Sequence, residues 1–394
     1  MPPLADRRLW FVGIGGAGMS AYAQLARAWG AEVGGWDPVD TPYLEPLRDV
    51  RLELGPDPVL PDGFEVVVSS AYPGVAGRAR GEFLAELVGL RRTIVVAGSH
   101  GKGTTAAMIA FVLSETGRDP AWLIGSPVPQ LGANAGAGEG WLVAEGDESD
   151  RSVFALPAEI AVITNVELDH HTEFRSLAEL EREFARWSAS VANVVSDAPA
   201  YAGPLSVPGE HNRRNAGAAL AALELAGVPR DEAAPVLARF AGTGRRFEVA
   251  ELAGITVVDD YGHHPTEIAA TIAAARALYP GRRLRVLFQP HLYSRTRHLA
   301  AELAESLAAA DEITVTGIYA AREQPLAGVT GKLIVDALSD LGRLAAWLPS
   351  LEQAVDYVAG RVEQGDVVAT IGAGDVDRAP GLLREALAGG GGLG

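Results

Sequence analysis

The chain has 394 residues, 48% of them hydrophobic and 21% charged, enough for about two or three globular domains. A net charge of −17 with no basic run argues against nucleic acid and anionic membrane surfaces as partners. The absence of cysteine excludes disulfides, thiolate nucleophiles and cysteine-held metals, and no apolar run approaches the roughly 18 residues of a membrane span, so a cytoplasmic protein without membrane insertion is expected.

Residues 9–14 are a short apolar run that predicts a strand, 17–29 a helix, 31–36 a second strand and 65–69 a later one. Strands alternating with helices imply a parallel, doubly wound sheet over residues 1–92. Across the junction of the first strand and its helix stand Gly13, Gly15, Gly16 and Gly18, with Asp37 after the second strand. That arrangement places a nucleotide diphosphate at the helix N-terminus and an acid on a ribose or base edge. The spacing does not say which nucleotide, and a glycine turn needed only for packing is the alternative.

A second unit, 93–240, opens with the apolar run Thr93–Ala97, followed by Gly98, Ser99, His100, Gly101, Lys102, Gly103, Thr104 and Thr105, and then by a helical pattern over 106–115. Backbone N–H groups in such a turn face a phosphate, the lysine adds a point charge, and a threonine reaches magnesium. The strict nucleotide-loop pattern has glycine where Val96 stands and a hydroxyl where Gly103 stands. Apolar runs at 140–145 and 160–164 each end in a polar motif: four carboxylates in residues 145–150, then Asn165, Glu167, Asp169, His170 and His171. Hard oxygen ligands with one imidazole suit Mg²⁺ or Mn²⁺ beside phosphates better than Zn²⁺. A solvated acidic turn is the bland reading of the first cluster. Residues 213–226 close the unit as a helix.

The third unit, 241–394, has predicted strands at 256–258, 285–288, 312–315, 345–348 and 367–371, with a glycine-rich tail at 389–394 expected to fray. Asp259, Asp260, Tyr261, His263 and His264 follow its first strand, and His291, Arg295 and Arg297 follow its second. An arginine pair at a helix start reads as a carboxylate or phosphate clamp. Arg245 and Arg246 add a further cationic pair near the start of the unit.

Taken together, residues 13–20, 69–70, 97–105, 144–154, 165–170, 209–215, 245–247, 259–268, 288–297, 319–323 and 372–376 resemble the ATP-dependent murein-precursor (Mur) ligases, and among them the alanine-adding branch. The resemblance implies an α/β protein of three domains: a Rossmann-like UDP-binding domain, a shortened central P-loop-type ATPase domain and a Rossmann-like C-terminal domain. It implies amide formation between L-alanine and the lactyl carboxylate of UDP-N-acetylmuramate through an acyl phosphate, in peptidoglycan precursor synthesis, by a monomer or weak homodimer. Gly15, Gly16, Ala17, Met19, Asp37 and Ser70 would hold the UDP-sugar. Residues 98–105 would hold ATP, with Lys102 on the transferred phosphate and Asn212, Asn215, Arg246 and Asp260 completing the nucleotide site. Thr104, Glu148 and His170 would carry Mg²⁺ or Mn²⁺. His263, His264, His291, Arg295 and Arg297 would face the muramyl carboxylate and the amino acid, and Lys102, His170, His264 and Arg295 would be the catalytic set.

Three departures from that branch stand out. Gly103 replaces a threonine, which moves the magnesium hydroxyl to Thr104. Leu292 replaces an arginine. Only about forty residues separate His170 from Gly209, where the family carries additional strands. They leave open a Mur-type ligase with another amino acid or acceptor, or a non-catalytic nucleotide-binding paralogue. An NAD-dependent oxidoreductase, suggested by the first glycine loop alone, leaves the second loop and the acidic clusters unexplained.

Overall fold

The computed structural model describes residues 1–169, 173–321 and 323–389, so His170, His171 and the expected tail from 390 on lie outside the described residues. Three sheets follow one another along the chain. The first contains β1 (Arg8–Val12), β2 (Glu32–Asp37), β3 (Arg51–Leu54), β4 (Glu65–Val68) and β5 (Arg78–Ala79), with α1 (Ala17–Ala28) and α2 (Arg80–Gly89). Its order is β3-β2-β1-β4-β5, all parallel.

The second sheet begins with β6 (Thr93–Ala97), α3 (Lys102–Glu115), β7 (Ala121–Val128), β8 (Ala133–Ala137) and β9 (Leu142–Glu145). It continues with β10 (Ile160–Ile163), α4 (Leu177–Ser188) and β11 (Asn193–Val195), and the helices α5 (Glu210–Leu225) and α6 (Arg230–Leu237) follow. The order is β11-β10-β6-β9-β7-β8, with β8 antiparallel to β7. The third sheet contains β12 (Glu248–Leu252), β13 (Ile255–Asp260), β14 (Leu284–Phe288), β15 (Glu312–Val315), β16 (Ala345–Trp347) and β17 (Val367–Ile371). Around it lie α7 (Pro265–Leu278), α8 (Tyr293–Leu307), α9 (Lys332–Asp340), α10 (Leu351–Ala359) and α11 (Ala379–Gly389). Its order is β12-β13-β17-β14-β15-β16, with only the edge strand β12 antiparallel to its neighbour.

The described chain packs into two compact units. The first, residues 1–168, 173–206 and 212–243, contains both of the first two sheets, and one apolar cluster runs from Leu9 and Phe11 through Val95 and Ala144 to Phe184 and Trp187. The second, made of Asp169, 207–211 and the described residues from 244 on, holds the third sheet. It has a separate apolar cluster on each face, around Val258 and Phe288 and around Val257 and Leu287. Buried strands such as β6 and β17 read as near-continuous apolar runs because helices cover both faces of a parallel sheet.

α3 starts four residues earlier than its apolar pattern, at Lys102, because Gly101, at φ +79°, turns the chain directly into the helix. In all three sheets the polar motifs follow the carboxyl ends of strands, where open α/β folds bind ligands.

Candidate active site

The turn between β6 and α3 is built for an anion. No side chain caps the N-terminus of α3, so its first N–H groups are available to a phosphate. The segment after β10 pins the turn from behind. Asn165 Oδ1 accepts from His100 N–H at 2.9 Å, Thr164 Oγ1 donates to His100 O at 2.6 Å, and Ser99 Oγ donates to Glu167 O at 2.7 Å. Two glycines make this fit possible. A Cβ at Gly98, whose φ is +123°, would stand 2.4 Å from Thr164 Oγ1, and one at Gly101 would stand 2.4 Å from Asn215 Oδ1. Asn215 is buried with Asn212, to whose Oδ1 it donates at 3.3 Å.

Lys102 crosses this turn. Its Nζ donates to Gly98 O at 2.7 Å, Ser99 O at 3.1 Å and Glu148 Oε2 at 2.9 Å. Burial opposes its charge, but Glu148, Asp147 and Glu145 outweigh that and hold the ammonium above its usual range. Glu148, expected as a magnesium ligand, is 1% exposed and pairs with Lys102. The acidic cluster therefore divides. Asp147 and Asp150 bind Arg80, and Glu145 Oε2 accepts from Gly125 N–H at 2.7 Å. Glu145 also occupies the space beside Gly103, where an added Cβ would lie 3.3 Å from its Oε2. Thr104 and Thr105 are buried in the first turn of α3.

In the first sheet the glycine loop joins β1 to α1, which also lacks a side-chain cap. Asp37 Oδ2 accepts from Gly15 N–H at 2.8 Å, and Thr41 Oγ1 donates to Gly15 O at 2.8 Å. The acid read as a ribose or base ligand thus also braces the loop, and burial raises its carboxyl despite the N–H groups of Gly15 and Val39. Met19, expected among the UDP-sugar residues, is 2% exposed and packs its side chain in the core. Ala17 is partly buried and Gly16 and Ser70 are exposed.

The second unit gathers a different set. Arg295 is 2% exposed and grips Asp169 with both ends of its fork, Nε to Oδ1 at 2.6 Å and Nη2 to Oδ2 at 2.9 Å. Its Nη1 lies 2.8 Å from His291 Nδ1. His263 Nε2 stands 3.8 Å from Asp169 Oδ2, and the His263 and His291 rings are 5.6 Å apart. Although burial opposes it, Asp169 is held well below the ordinary carboxylate range by Arg295 and His263. Arg297 is exposed. Residues two apart on a helix point to different sides, so Arg295 and Arg297 do not form the joint clamp expected from their spacing.

His264 caps α7, its Nδ1 accepting from Thr266 N–H at 3.4 Å while Glu267 completes a capping box. Arg246 pairs with Glu267 at 3.3 Å, and Asp260, its carboxyl raised by burial, accepts from the N–H groups of Phe247 and Gly262 at 2.8 Å. Leu292, where the family has arginine, is held at φ +70°, an uncommon conformation for a branched residue. The sequence reading overlooked the supports: Thr164 under the phosphate loop, Glu267 under the histidines, and Arg80. A hydroxyl directly after a strand is the only sequence signal for Thr164, and an acid three residues after a helix cap the only one for Glu267, while Arg80 lies 67 positions from the Asp147 it binds.

Comparison with known proteins fits this geometry. Residues 96–195 match the Mur ligase middle domain, and residues 245–374 match the Mur ligase glutamate ligase domain. A UDP-N-acetylmuramate–L-alanine ligase of Streptomyces coelicolor is 37% identical, the match covering 97% of this chain and 98% of that protein. One of Paenarthrobacter aurescens is 38% identical, with 97% of each covered. The first alignment runs over 454 positions against the 394 residues here, so that relative carries segments this chain lacks. The crystal structure of the UDP-N-acetylmuramate–alanine ligase of Thermotoga maritima superposes with a TM-score of 0.79 at 25% identity, covering 97% of this chain and 99% of that one. On identity of this extent, the chain belongs to the Mur ligase family, among its UDP-N-acetylmuramate–L-alanine ligases.

Proposed function

We propose that the protein uses ATP to join L-alanine to the lactyl carboxylate of UDP-N-acetylmuramate in the cytoplasm, as a step in peptidoglycan precursor synthesis. Lys102 in an uncapped helix-start loop is the observation that carries this reading. A carboxylate is a poor electrophile. One of its oxygens attacks the γ-phosphorus of ATP, ADP leaves, and an acyl phosphate forms. The alanine amine, having lost a proton, then adds to the acyl carbon. Collapse of the tetrahedral adduct expels phosphate and leaves the amide. No covalent nucleophile from the protein is needed. The demand is charge stabilisation, which the lysine and the N–H groups of residues 101–104 meet.

In this reading, residues 1–92 hold the UDP-sugar on Gly15, Gly16, Ala17 and Ser70, residues 93–240 hold ATP, and residues 241–394 serve the acceptor and amino acid. Lys102, presented by Glu148, meets the transferred phosphate when ATP is present. The oxygen donors Thr104 and Glu148 suit a hard cation such as Mg²⁺, with His170 as the family's third ligand, and the ion would screen the phosphate charge. Asn212, Asn215, Arg246 and Asp260 are assigned to the nucleotide. His263, His264, His291 and Arg297 are assigned to the carboxylate and amino acid, with Arg295 aligning His291 through its buried bond to Asp169.

Leu292 in place of arginine favours a second reading, a ligase of the same chemistry for a different amino acid. Phosphate release from ATP with Mg²⁺ and UDP-N-acetylmuramate, across a panel of amino acids, separates the two. L-alanine is expected to give the highest kcat/KM. A preference for another amino acid selects the second reading, and release that ignores the amino acid contradicts both.

A further inference from the structure

Arg80 opens α2, a helix of the first sheet, yet its side chain ends among the acids that follow β9 in the second. Nε donates to Asp150 Oδ2 and Nη2 to Asp147 Oδ2, both at 2.6 Å. The remaining nitrogen, Nη1, lies 3.5 Å from where a Cβ on Gly18 would stand, beside the first glycine loop. The other oxygens of the two acids fold the turn between them: Asp147 Oδ1 accepts from Ser149 N–H at 2.9 Å, and Asp150 Oδ1 from Ser152 N–H at 3.1 Å. Glu148 sits inside that turn and holds Lys102. The two sheets meet closely here, since a Cβ at Gly81 would come within 2.7 Å of Ser152 Cβ. One guanidinium therefore ties down both ends of the turn whose middle residue meets the lysine of the phosphate loop.

Electrostatics points the same way. Asp147, whose side chain keeps 39% exposure, is paired first with Arg80 and lies next in the field of Lys102. Without Arg80, Asp147 falls to Lys102 for its compensating charge, and the lysine is drawn from the position in which Glu148 presents it. Asp150, at 17% side-chain exposure, loses its partner as well, and a largely buried charge left unpaired costs more than the pair contributed.

We propose that Arg80, a residue of the sugar-nucleotide sheet, is a positioning residue for ATP: by fixing the Asp147–Asp150 turn it sets Glu148 and thereby Lys102. This rests on the assignment of Lys102 to the ATP phosphates. The test is the affinity for a non-hydrolysable ATP analogue with Mg²⁺, measured by calorimetry without UDP-sugar, so that the nearby glycine loop contributes nothing. Arg80→Gln is expected to weaken binding about tenfold. The double variant Arg80→Gln with Asp147→Asn removes, along with the cation, the one of its two acids that would otherwise fall to Lys102, Asp150 staying in place, and is expected to return to within about threefold of the original. Lys102→Ala checks the underlying assignment: full affinity there overturns the ATP-loop reading itself. Loss of affinity in Lys102→Ala with unchanged affinity in Arg80→Gln overturns only the role of Arg80. Equal loss in the single and double variants also overturns it, because a packing role at that corner is not rescued by neutralising Asp147. Should Arg80→Gln fail to fold, the double variant decides, near-original affinity supporting the proposal and a tenfold loss contradicting it.

Discussion

Gly98 combines a φ of +123° with a neighbour, Thr164 Oγ1, standing 2.4 Å from any Cβ placed there. An alanine at this position meets both backbone strain and a hydroxyl bonded to His100 O. Gly98→Ala is therefore expected to destabilise the first unit by about 1–3 kcal/mol and to reduce phosphate release at least tenfold, as read by denaturant unfolding and a turnover assay. Lys102→Ala is expected to abolish turnover while UDP-sugar binding changes little, because the first glycine loop belongs to another sheet. Retention of most turnover contradicts the assignment of the loop. Glycines and lysine were legible in the sequence because their chemistry is local: a turn after a strand, a cation at the next helix start. The burial of the Met19 side chain was not legible for the opposite reason. Its place in a motif said nothing of the direction of its side chain, which the helix turns into the core. Arg80 and Asp147 were illegible as a pair because nothing local joins positions 67 residues apart.

At the level of elements, the sequence placed Thr93–Ala97, Glu312–Val315 and Val367–Ile371 as the structure has them, since strands buried on both faces are continuous apolar runs with sharp ends. Helix starts were less legible, because polar residues of the first turn, such as those from Lys102 to Thr105, carry no apolar period. The start of α8 shows what spacing hides. Arg295 and Arg297 read as partners, but the helix sends one inward to Asp169 and the other to solvent. That buried pair has a pH signature. The folded carboxyl of Asp169 lies well below its unfolded value of about 3.9, so its contribution is complete above that pH and is lost as the pH falls toward the folded value. Asp169→Asn leaves Arg295 buried against an uncharged partner and is expected to cost the second unit about 3 kcal/mol at neutral pH. It should also flatten the fall in stability below about pH 4. Urea unfolding across pH checks both. An acid limb as steep in the variant as in the original contradicts the contribution assigned to this pair.

At the scale of the whole molecule, two nucleotide-type loops lie on separate sheets of one compact unit, and the other unit carries the histidine- and arginine-bearing sheet. The first loop alone fits a dinucleotide as well as a UDP-sugar. Calorimetric titration is expected to show heat with UDP-N-acetylmuramate and none with NAD, and the reverse pattern contradicts the division of roles. The three-sheet plan was legible in the sequence from repeated strand–polar-motif units. The packing of the first two sheets into one unit was not, because it depends on pairs distant in sequence such as Asn134 Nδ2 donating to Ala17 O at 3.0 Å. The most direct measurement follows the oxygen atoms. With heavy oxygen in the lactyl carboxylate of UDP-N-acetylmuramate, ATP and L-alanine, attack on the γ-phosphorus carries one labelled oxygen into the released phosphate, which mass spectrometry detects. The account predicts labelled phosphate in a one-to-one ratio with amide formed. Unlabelled phosphate accompanying amide formation contradicts it.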